Sequence, residues 1–133
     1  MGAWGAGHFE NDTALDWVYE LEESKDEKIL WNAIEAVMSE EYVDSDVAVE
    51  ALAALEVAAG LKGRQSTDLP EEVEKWLSKN GSLKLPDNYY GRAKEAMEKI
   101  IGTESELKDL WEESESFDEW LTEVKNLQTR LSS

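Results

Sequence analysis

The side chains able to do chemistry are few and stand near the start of the chain. His8 is the only histidine among 133 residues, and there is no cysteine. Asp12, Asp16 and Glu20 follow at i, i+4 and i+8, a spacing that puts three carboxylates on one face of a helix. A histidine held in a glycine-bearing loop could act as a general base for a serine nucleophile. The carboxylate row could meet a metal ion or a basic partner. Both features have a plainer reading. A base must be held rigidly, and with many serines in the chain a chance pairing is the simpler account of any Ser–His–Asp set. Charged residues at helical spacing ordinarily form a solvated face.

Other chemistries are excluded more firmly. Without cysteine there are no disulfides, zinc–thiolate sites or thiol nucleophiles. The inward Glu-x-x-His pairs of di-metal bundles cannot be built around His8, which precedes the helices. Asp44-Ser45-Asp46 opens like a calcium loop but lacks the glycine and the closing glutamate at their spacings. The early glycines follow no strand, so they are not a dinucleotide or phosphate motif. The expectation is no catalytic residue, no metal and no cofactor, which points away from an enzyme. The candidate binding residues are Trp4, His8, Asp12, Asp16 and Glu20.

The element that must position them is the opening stretch, MGAWGAGHFENDTALDW. Gly2, Gly5 and Gly7 alternate with Ala3, Trp4, Ala6 and His8, and neither a helical nor a strand period survives. Glycine permits positive φ and close backbone approach, so residues 1–12 are expected to form a shaped loop carrying Trp4 and Phe9. Two large rings need a pocket, and the nearest apolar surface is the protein's own. We therefore expect Trp4 and Phe9 to plug the core, with His8 a bystander. The rival is a ligand or partner pocket built from the loop backbone, its rings and His8. Asn11 or Asp12, with Thr13 as a further candidate, caps the helix that follows.

Gly2, Trp4, Gly5, Gly7, Phe9, Asn11, Asp12, Ala14, Asp16 and Trp17 together resemble the N-terminal signature of an uncharacterised bacterial family, domain of unknown function 4259. That signature reads G-x-W-G-x-G-x-F-x-N-D-x-A-x-D-W. The resemblance implies an acidic helical protein and brings no activity, so it assigns no catalytic residue.

Charge bounds the partners. There are 31 acidic against 13 basic residues, a net charge of −18. Direct binding to nucleic acid or to an anionic membrane is disfavoured by that field. The charge could keep solvated helices soluble, steer the protein toward a basic partner, or suit high salt. No apolar run approaches a membrane span, and without a charged-then-apolar pattern no signal peptide is expected. Ala6 stands where a myristoylation motif wants serine or threonine. A cytoplasmic bacterial protein is the expectation.

The remainder reads as amphipathic helix. Helices are expected at about 13–23, from a capping box at Ser24–Glu27 to Ser39, and from Asp46 to Ala59 with Asp44 or Ser45 as cap and Gly60 as stop. The third, SDVAVEALAALEVAA, is apolar nearly all round, with Asp46, Glu50 and Glu56 as its polar surface, so it belongs at the centre. LKGRQST, with Lys62 and Arg64, is the most basic local segment and a loop. Pro70 opens a short helix ending at Asn80-Gly81. Asp87 or Asn88 caps another to Ile101, stopped by Gly102. Capping boxes at Thr103–Glu106 and Ser116–Glu119 begin the last two. Glu71–Lys75, Glu95–Lys99 and Glu104–Lys108 have favourable i,i+4 order.

The expected fold is therefore all-α: a single domain over residues 1–133, a bundle of about seven helices with the glycine/aromatic loop packed on it. The expected function is a non-enzymatic acidic binding or inhibitory protein, like small immunity or anti-defence proteins, that recognises a basic protein surface. The alternative is a small-ligand or enzyme domain with its site at the Gly/Trp/His loop.

Overall fold

The computed structural model describes residues 5–132. Among them lie seven α-helices: α1 (Asp12–Glu23), α2 (Lys28–Met38), α3 (Ser45–Leu61), α4 (Glu71–Asn80), α5 (Asp87–Ile100), α6 (Glu106–Glu112) and α7 (Phe117–Ser132). There is no sheet among these residues. An isolated parallel bridge joins Val43 to Ser105, with Val43 N–H donating to the Glu104 carbonyl and Glu106 N–H to that of Val43. The fold is all-α, as the periodicity requires.

α3 packs against each of the other six helices. Ala48 and every residue from Ala51 to Ala59 are buried, and the alanines let neighbouring helices approach closely. The amphipathic helices bring their stripes to it: Ala14, Trp17, Val18 and Leu21 of α1, Leu30, Ala33, Ile34 and Val37 of α2, and Trp120, Val124, Leu127 and Leu131 of α7. Trp31, which falls off the α2 stripe, meets Tyr89 of α5 edge to face with ring centroids 5.0 Å apart.

Several local expectations are corrected. Ser24 does not open a capping box. Its N–H closes α1 on the Leu21 carbonyl, and the Asp26 carboxylate accepts from Lys28 N–H instead. Thr103 is not the cap of α6. Ser105 caps it, accepting from Lys108 N–H, and the Glu106 carboxylate is spent on Ser45 N–H at the start of α3. Gly60 does not stop α3 but lies inside it, where an added Cβ would stand 2.6 Å from Leu77 Cδ1. The glycine the chain needs for its turn is Gly63, at φ 83°. It lets Arg64 N–H reach back to the Ala59 carbonyl. Of the predicted pairs, Glu71–Lys75 forms at 3.2 Å, whereas Lys108 pairs with Glu112 and Lys99 turns to the carbonyls of Met38 and Glu40.

Candidate functional site

The opening loop is built by short-range polar contacts. Gly7 N–H donates to the Glu10 carboxylate at 3.0 Å, and Glu10 N–H donates to the Gly7 carbonyl at 3.0 Å. A Cβ on Gly5 or Gly7 would collide with that carboxylate, so the two glycines let Glu10 fold back over the backbone. Asn11 caps α1 through Ala14 N–H at 2.8 Å, and its amide donates to the His8 carbonyl at 3.5 Å. One residue thus fixes both the helix start and the loop that precedes it.

This turn drives Phe9 and His8 inward. Phe9 joins the core, as expected. Trp4, the other predicted plug, lies outside the described residues. His8 is 6% exposed, and its Nε2 has no hydrogen-bond partner among the described residues. On one side it borders a small hollow of about 20 Å³ whose lining includes Asn11, Leu52, Leu107, Trp111 and Trp120. On the other it lines a cleft of about 440 Å³ whose walls carry the carboxylates of Glu10, Glu56, Asp68 and Glu123.

The electrostatics of this cleft are crowded. Glu56, on the central helix, is 3% exposed. Arg130 of α7 binds it with both arms of its guanidinium, at 2.8 and 3.0 Å, and also donates to the Arg64 carbonyl. Burial holds the His8 pKa below the ordinary imidazole value. The Glu56 carboxylate and a backbone hydrogen bond at Glu123 pull it up, and Arg130 pushes it down. Burial also raises the Glu123 carboxyl, helped by Glu56 and Asp68, with Arg130 opposing and Glu10 adding a little. The arrangement can attract a cation or a hydrogen-bond donor. No serine hydroxyl is bonded to His8 among the described residues, so a triad is not assembled.

The remaining predicted residues stand elsewhere. Asp12, Asp16 and Glu20 are exposed along α1. Glu20 lines a separate hollow of about 380 Å³ with Asp26, Lys28 and Glu50, where burial and the nearby Glu20 raise the Glu50 carboxyl. His8 and the α1 row therefore do not converge on one site. Among the described residues no group of three or more histidines and carboxylates is placed to hold a metal ion. Reading the sequence alone missed Glu10, Glu56, Asp68, Glu123 and Arg130. The available signal was Glu56, one of three acids in a helix apolar nearly all round.

These helices and this cleft define a class: a small all-α domain, walled on one side by a glycine/aromatic loop and lined by carboxylates. Within it, the chain belongs to the family described as domain of unknown function (DUF4259), whose model matches residues 2–123. The match extends far beyond the opening signature. A stretch of 59 residues, 44% of the chain, is 41% identical to mannitol-1-phosphate 5-dehydrogenase of Streptococcus pneumoniae, in strains ATCC 700669 / Spain 23F-1 and JJA. The match spans 15% of the length of those dehydrogenases. No solved structure matches the chain.

Proposed function

We propose that this is a non-enzymatic acidic binding protein, inhibitory in the manner of small immunity proteins, that recognises a basic protein surface in the cytoplasm. The observation that carries this reading is the composition of the loop-walled cleft. Four carboxylates line it, and the nearby guanidinium of Arg130 is already committed to Glu56. Burial raises Glu123 and repulsion from Glu56 and Asp68 adds to it; a lysine or arginine from a partner would relieve that repulsion, and a field of −18 charges would speed its approach. No helix among the described residues is long and apolar enough to cross a membrane.

The test is capture of partners from the source lysate at low and high salt. Basic proteins released as salt rises are the expected result, since screening weakens such contacts. Acidic partners, or retention indifferent to salt, would overturn the reading. Asp68→Asn with Glu123→Gln should weaken capture more than Asp12→Asn with Asp16→Asn and Glu20→Gln on α1.

A second reading, a small-ligand or enzyme site at the loop, is favoured by one observation: the unpartnered, buried Nε2 of His8. A metabolite that shifts the imidazole resonances at saturable concentration, an effect lost in Cδ2-labelled protein carrying Glu123→Gln, would favour it over the first.

A further inference from the structure

The basic segment around Lys62 takes no part in the acidic cleft through that side chain. Lys62 caps the end of α3, and its ammonium donates to the Leu131 carbonyl near the end of α7. The same ammonium lies 4.7 Å from the ring centroid of Tyr90 on α5. Between α5 and α7 this leaves a hollow of about 470 Å³, within the size range of small-molecule sites. Met97 and Leu131, both buried, floor it, and the exposed Lys94 stands at its edge.

The charge here runs against that of the two acidic hollows. The acidic cleft carries four carboxylates and the α1–α2 hollow three, whereas among the described residues this one has two lysines against Asp87 alone. Residues 124–133, VKNLQTRLSS, contain no acidic side chain in a chain that has 31. Neither Lys62 nor Lys94 forms an ion pair with a carboxylate among the described residues. An occupant must complement two ammonium groups and an apolar floor. A multiply charged anion such as phosphate would be repelled by the net charge of −18 and would leave the floor unused.

We propose that the α5–α7 hollow is a binding site for a small organic monocarboxylate with a short apolar body. Lys62 and Lys94 hold the carboxylate, and the body lies on Met97 and Leu131.

The test is titration of protein carrying ¹³C-methyl methionine with hexanoate, hexanamide or inorganic phosphate, followed by NMR. Hexanoate should shift the Met97 methyl saturably and leave the Met38 methyl unmoved. Hexanamide should bind about ten-fold more weakly, and phosphate should leave Met97 unmoved. Lys94→Gln, at an exposed position, should weaken hexanoate binding about five-fold with the melting temperature unchanged. Lys79→Gln on α4 should leave binding as it was. The proposal is overturned if hexanamide binds as well as hexanoate, if the Met97 shift does not saturate, or if Lys79→Gln weakens binding as much as Lys94→Gln.

Discussion

Arg130 and Glu56 meet through two parallel hydrogen bonds, Nη1 to Oε1 at 2.8 Å and Nη2 to Oε2 at 3.0 Å. The pair ties the last helix to the central one at the edge of the acidic cleft. Bidentate geometry makes this the strong form of a charged contact, and the carboxylate is almost wholly removed from water. Taking away one partner strands the other. Arg130→Met should destabilise the protein by about 3–5 kcal/mol. The double variant Glu56→Met/Arg130→Met should recover much of that loss, because no charge is then left buried. Urea unfolding of the single and double variants measures both, and a double variant no better than Arg130→Met would contradict the account.

Gly60 sits where an alanine Cβ would press on Leu77. In a helix interior, alanine is favoured over glycine by about 1 kcal/mol, but overpacking typically costs about 1–3 kcal/mol. Gly60→Ala is therefore expected to destabilise the native protein. In a Leu77→Ala background, where the contact is gone, the same substitution should stabilise by about 1 kcal/mol. The change of sign between the two backgrounds is the readout, and thermal or urea melts supply it.

Phe9 is part of the core although it belongs to the loop. Phe9→Ala should cost about 3–5 kcal/mol. Far-ultraviolet circular dichroism below the transition should stay helical while the melting temperature falls. A variant that melts with the native protein would mean that the loop contributes nothing to the fold.

His8 gives stability a pH dependence of defined sign. Burial holds its folded pKa below the ordinary 6.5. As pH falls below 6.5, the unfolded chain takes up a proton that the folded chain still refuses, so stability is lost. Above that value the contribution is fully present. The raised carboxyls of Glu50 and Glu123 act oppositely, because there the folded state binds the proton more readily. Comparing His8→Asn with the native protein between pH 5 and 7, as an order-of-magnitude window around the imidazole range, isolates the histidine. The native protein should lose stability on acidification relative to the variant. An NMR titration of the single imidazole reads the pKa directly, and a value above 6.5 would reverse the prediction.

Much of the architecture was legible because helices are announced locally. The stripes of α1, α2 and α7 repeat at helical spacing, and their buried residues follow it. SDVAVEALAALEVAA has too little polar surface to lie at the edge of a bundle, and α3 is its centre. Asn11 as a cap and Phe9 as a core residue could likewise be read from their neighbours.

The choice of partners was not local, and only the tertiary structure made it. The bases expected to serve Glu95 and Glu104 at i+4 left them, Lys99 for carbonyls on another element and Lys108 for Glu112. Gly60 was read as a stop because nothing nearby in sequence reveals that Leu77 will pack across it. Glu56 passed for helix surface because Arg130, which makes its burial tolerable, lies 74 residues away. Periodicity says which face of each helix avoids water. Which charged side chains end up under that face depends on how the helices cross, and a buried carboxylate persists only where the crossing delivers its counter-charge.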